Sequence, residues 1–159
     1  MPGILVLNGP NLNLLGEREP EIYGRTTLAD IEAACRALGE TLGVGLDFAQ
    51  SNHEGELVDR IQAARKDRDA LVINPAGLSF TSVPILDALK IFPAPVIELH
   101  LSNVHARDEH HRHSILSHAA SAVICGLGAY GYLVAVQAAA RLAGATPEAL
   151  PAPLRTGLG

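Results

Sequence analysis

The stretch Leu71–Lys90, LVINPAGLSFTSVPILDALK, decides the fold. It opens on a continuous apolar run, the mark of a strand buried on both faces. Asn74-Pro75 breaks that run, because proline cannot continue a ladder and restricts the residue before it. A short polar loop follows, with Ser79, Thr81 and Ser82 around Phe80. Thr81 or Ser82 is placed to cap a helix reaching about Lys90, and Pro84 is tolerable in its first turn. Strand, turn and helix in that order form half of a βαβ unit. The turn at the strand's carboxyl end is where such proteins keep a ligand.

The same pattern extends outward in both directions. Apolar runs at 4–7, 44–49, 70–73, 95–99 and 122–125 alternate with helix-period segments at 26–43, 54–67, about 81–90 and about 128–142. Repeated alternation predicts an α/β protein with a parallel sheet and helices on both faces. Five strands suit a doubly wound, flavodoxin-like order 2-1-3-4-5. The length of 159 residues predicts one domain over 1–145, with a Pro/Gly-rich tail at 146–159.

Composition narrows the function classes. A net charge of −5 supplies no basic stripe for nucleic acid. No apolar run approaches the roughly 18 residues of a membrane span. Cys35 and Cys125 form no CxxC, which fits a reduced, cytoplasmic protein.

Five loops lie at the carboxyl ends of the strands, at 8–25, 50–54, 74–82, 100–113 and 126–131. In ELHLS (98–102), strand alternation puts Glu98, His100 and Ser102 on one side, so Glu98 can orient the His100 ring. The competing reading is a surface Glu-His pair. The long segment 8–24 carries three asparagines and has the length of a lid or binding loop. There, Arg18 near Tyr23 would favour a phenolate and make Tyr23 a candidate base; the alternative is an exposed loop in which neither acts. GLGAYG (126–131) spells GxGxxG, but no strand or acidic residue follows at the required distance, so tight packing accounts better for its glycines. HARDEHHRH (105–113) holds four histidines without any standard zinc spacing and reads as a solvated loop.

Together these segments resemble the type II 3-dehydroquinases. The likeness rests on LNGPNLNLLGEREPEIYG, QSNHEGELVDRIQ, VINPAG, TSV, IELHLSNVHAR and GLGAYGY, in order from Ile4 to about Leu142. The resemblance implies dehydration of 3-dehydroquinate to 3-dehydroshikimate by an enolate-type anti elimination without metal or organic cofactor. It implies that Tyr23 is the base, that Arg18 lowers its pKa, and that Asn11 holds the enolate through a water. It implies that His100, oriented by Glu98, protonates the leaving hydroxyl. Asn74, Ser102 and the Leu101 backbone would receive the substrate carboxylate and the departing hydroxyl. Asp87 would reach into a neighbouring subunit's site in a dodecamer built from trimers. Lys66 and Lys90, the only lysines, both fall on helices, which argues against an imine mechanism.

Two positions depart from the family. Phe80 stands where the family has histidine, and His111 where it has arginine; Arg112 lies one place out of register. The family residues bind ring hydroxyls remote from the chemistry. A hydroxyl facing Phe80 without another partner forfeits roughly 1–3 kcal/mol, or about 5- to 150-fold in rate. Three expectations follow: a dehydroquinase with a rearranged hydroxyl side, the same dehydration on a related ring acid, or a non-catalytic binding protein that kept the scaffold.

Overall fold

The computed structural model describes residues 1–17 and 19–154, apart from the side chain of Tyr23. Five strands form one parallel sheet: β1 (Gly3–Asn8), β2 (Gly45–Gln50), β3 (Ala70–Asn74), β4 (Val96–His100) and β5 (Ala122–Cys125). Their order is β2-β1-β3-β4-β5, as the alternation predicted.

Helices cover both faces. A one-turn helix, α1 (Pro20–Tyr23), precedes α2 (Leu28–Leu42), α3 (Glu54–Ala64), α4 (Val83–Ile91) and α5 (Tyr130–Leu142). Side chains alternate along β1 and feed two separate cores. Ile4 and Val6 pack with Ile31 and Cys35 of α2 and with Ala135 and Val136 of α5. Leu5 and Leu7 pack with Leu57 and Ile61 of α3 and with Ile85 and Leu89 of α4. Among the described residues, no helix is long and apolar enough to cross a membrane.

The helix starts follow local chemistry. Thr27 and Asp30 form a reciprocal capping box, which begins α2 two residues later than the apolar period alone suggested. Ser82, not Thr81, caps α4 by accepting from the Ile85 N–H at 3.1 Å. The final helix starts at Tyr130 rather than near Gly128, because Gly126 and Gly128 adopt positive φ of 91° and 61°. A Cβ on Gly131 would stand 3.0 Å from Leu99 Cδ1, so this glycine lets α5 lie close on β4. Of the GLGAYG glycines, Gly131 therefore serves packing, whereas Gly126 and Gly128 supply the left-handed turns before α5.

Candidate active site

The strand order reverses direction between β1 and β3, and the sheet opens a crevice at that point. In register there, Asn8 of β1 lies opposite Gln50 of β2 and Asn74 of β3. A cleft of about 140 Å³ sits just beyond, lined from the β1 loop by Pro10, Asn11, Leu12 and Leu15. Asn74 to Phe80 supply its second wall, and His100 to Arg107 with His111 supply its third.

His100 ends β4 and is 5% exposed, while Glu98 behind it is 1% exposed. Their side chains meet at 2.5 Å, Nε2 of the ring to Oε2 of the carboxylate. That contact leaves Nδ1 as the ring nitrogen for a ligand. The second carboxylate oxygen accepts from Ser117 Oγ at 2.8 Å. Burial alone would raise the Glu98 carboxyl; the hydrogen bond and charge of His100, with the Ser117 bond, outweigh it and hold the group below the usual carboxylate range. Ser102 lines the cleft with His100, but β4 stops at His100 and Ser102 lies in the bend beyond it. The neighbouring Leu101 carbonyl accepts from the Gly128 N–H at 2.9 Å, tying this bend to the loop before α5.

Asn74 ties the cleft lining to a buried polar triad with Asn8 and Tyr132. Tyr132 is fully buried on α5; its hydroxyl donates to Asn8 Oδ1 at 2.7 Å and accepts from Asn74 Nδ2 at 2.9 Å. Burial pushes the phenol well above its ordinary range, so it stays neutral and serves as donor and acceptor at once. Asn74 Oδ1 also accepts from the Ala76 N–H at 3.2 Å. One amide hydrogen of Asn74 remains for a ligand. The β1 and β3 loops also touch directly: a Cβ on Gly9 would meet the Pro75 oxygen at 2.4 Å, and Gly9 N–H donates to the Asn74 carbonyl at 2.8 Å.

The far wall is aromatic. Phe80, half-buried at the end of a 3-10 turn over Ala76–Phe80, stacks on His100 with centroids 6.4 Å apart and planes at 24°. It meets His111 edge-on at 5.6 Å and 79°. His111 Nδ1 in turn lies 2.9 and 3.0 Å from the two oxygens of Asp108. That hydrogen bond holds the Asp108 carboxyl below its usual range.

Not every residue singled out above reaches the cleft. Arg112 is exposed and turns back, its Nε and Nη2 donating to the Arg107 carbonyl at 3.1 and 2.8 Å. Asp87 is exposed on α4, outside the lining. Arg107 does line the cleft and was not among the candidates; its place in the loop after β4 was the available signal. Tyr132 was also missed. Arg18 and the Tyr23 side chain lie outside the described residues. Asn11 lines the cleft mouth with a left-handed φ of 69°. Among the described residues, no group of three or more His, Cys, Asp or Glu side chains is arranged to hold a metal.

The family model of class II dehydroquinases matches residues 2–140. The chain belongs to the class II dehydroquinases. It is 60% identical over 134 residues to a catabolic 3-dehydroquinase of Neosartorya fischeri, covering 84% of this chain and 89% of that one. A catabolic 3-dehydroquinase of Verticillium alfalfae is 57% identical over 138 residues, with 87% and 92% covered. Among solved structures, the type II dehydroquinase of Propionibacterium acnes superposes with a TM-score of 0.86 at 43% identity, covering 89% of this chain and 97% of that chain. The chain is thus an enzyme of the hydro-lyase class, built on the flavodoxin-like sheet described above.

Proposed function

We propose that the enzyme dehydrates 3-dehydroquinate to 3-dehydroshikimate. Tyr23, as phenolate beside Arg18, takes the proton from the carbon next to the ketone. The electron pair moves onto the ketone oxygen, and Asn11 stabilises that enolate through a water. Collapse of the enolate expels the hydroxyl, which takes a proton from His100 and leaves as water. Glu98 keeps His100 in the required orientation. Asn74, Ser102 and the Leu101 backbone bind the substrate carboxylate and the departing hydroxyl.

The observation that supports this reading is His100 in the cleft lining with Nε2 committed to buried Glu98; Nδ1 is the nitrogen the proposal assigns to the leaving group. The test follows the ultraviolet absorbance of the conjugated product in purified enzyme mixed with 3-dehydroquinate. Steady growth of the absorbance is expected; a flat trace at high substrate concentration overturns the reading. Replacing Tyr23 by Phe should abolish the growth, and unchanged turnover would remove Tyr23 as base.

A second reading concerns the substrate alone. Phe80 between two histidines offers no hydrogen bond to a ring hydroxyl, which favours a related cyclic hydroxy-keto acid lacking that group. Deoxy analogues used more efficiently than 3-dehydroquinate would select it. Under the first reading, His111 and Arg107 meet the remaining hydroxyls, with Arg112 outside. Asp87, exposed on α4, serves a neighbour's cleft in a dodecamer of trimers. Relatives named catabolic support a place in quinate breakdown; the cytoplasm is the compartment proposed for it. Light scattering gives the assembly mass, and a monomer would remove the role of Asp87.

A further inference from the structure

The segment Gln50-Ser51-Asn52 ends β2 and runs just past it, outside the cleft lining, yet it grips the loop that forms the cleft mouth. Asn52 Oδ1 accepts from the Asn11 backbone N–H at 3.0 Å and from Gln50 Nε2 at 3.0 Å. Gln50 Nε2 also donates to the Gly9 carbonyl at 3.2 Å and reaches Asn13 Oδ1 at 3.4 Å. The backbone partners fix which atom of each amide faces inward. An N–H accepts nothing, so Asn52 presents its oxygen to Asn11; a carbonyl donates nothing, so Gln50 presents its nitrogen to Gly9.

The grip has its own anchor. Ser51 is 4% exposed; its hydroxyl donates to Glu56 Oε2 at 2.5 Å and accepts from the His53 N–H at 2.9 Å. Ser51 N–H donates to the Asn8 carbonyl at 3.0 Å. Opposite it, Asn11 holds a left-handed backbone at φ 69°, a region rare for side chains in general that asparagine enters more readily than most, so the Asn52 bond selects it rather than forces it.

We propose that Gln50 and Asn52 are positioning residues that hold Asn11 in its left-handed turn at the cleft mouth. The proposal rests on the reading above in which Asn11 stabilises the enolate. The geometry uses Asn52 only as an acceptor and Gln50 only as a donor, so two near-isosteric changes have opposite consequences. Asn52→Asp keeps the accepting oxygen, whereas Gln50→Glu removes every donor. A group misplaced by about 1 Å costs up to about 100-fold in turnover.

The experiment measures kcat and KM with 3-dehydroquinate, together with hydrogen exchange of the Asn11 amide, in the full-length enzyme. Asn52→Ala should lower kcat roughly 10- to 100-fold while KM stays within about threefold, and the Asn11 amide should lose its protection. Asn52→Asp should recover most of both. Gln50→Glu should lose at least as much kcat as Gln50→Ala. Wild-type kcat in Asn52→Ala, or Asn52→Asp falling as far as Asn52→Ala, overturns the proposal. So does equal Asn11 exchange in wild type and Asn52→Ala. A wild type inactive on 3-dehydroquinate would overturn the reading of the reaction instead, and the exchange rates would still decide the grip.

Discussion

Two histidine–carboxylate pairs border the cleft, and they differ in almost everything except chemistry. His100 and Glu98 meet at 2.5 Å with side chains 6% and 1% exposed. His111 and Asp108 meet at 2.9 Å with side chains 41% and 56% exposed. Water screens the second pair, so its contribution to folding is slight and it is free to reorganise around a ligand. The first pair cannot reorganise. Its carboxylate is held by His100 and Ser117, and removing it would leave a buried ring without its partner. One fold thus places a rigid pair and a soft pair at the same cleft, and under the proposed reaction the first serves the proton and the second recognition.

The largest test of this contrast is Glu98→Ala. It should cut kcat by roughly 10²- to 10⁴-fold, the range of a lost general acid, measured by the product absorbance. A loss under tenfold would mean that burial does not make the first pair special. Phe80→His comes next. It restores a hydrogen-bonding group between the two pairs, and kcat/KM for 3-dehydroquinate should rise by about 5- to 150-fold. A fall would favour the related ring acid as substrate.

Tyr132→Phe tests the buried triad behind Asn74. It strands Asn8 Oδ1 and Asn74 Nδ2 at about 1–3 kcal/mol each, seen as a lower denaturation midpoint. Acid titration separates the pairs further. Glu98 has a folded pKa below its unfolded value of about 4.3, so its stabilisation is complete above that value and disappears as pH falls through the folded one. Glu98→Gln should flatten that acid limb in urea melts. Asp108→Asn should have the smallest effect, with KM shifting less than about fivefold because the pair is exposed.

The contrast was only partly legible in the sequence. The sheet order followed from apolar runs spaced by helix-period segments, since burial on two faces writes itself into composition. Glu98 and His100 were legible because strand side chains alternate, an elementary regularity. Tyr132 was not, because its partners lie on β1 and β3, 124 and 58 positions away, and only docking of α5 on the sheet brings them together. Arg107 and Arg112 were indistinguishable for a related reason. Which arginine enters the cleft depends on short 3-10 turns over Val104–Ala106 and Glu109–His111, and such turns leave no periodic trace. Ser102 was placed on the right side for an incomplete reason, since the strand ends before it.

The contact between Gly9 and Pro75 has a consequence for how this cleft can be reshaped. With no room for even a methyl group between them, the first two walls behave as a single casting. New specificity cannot enter by widening that seam, because any side chain at Gly9 would drive the two loops apart and unseat Asn74 with them. The adjustable wall is the one after β4, where exposed side chains ride on short turns. Directed evolution of this enzyme toward other ring acids should therefore accumulate its changes at 105–112 and leave Gly9 and Pro75 alone.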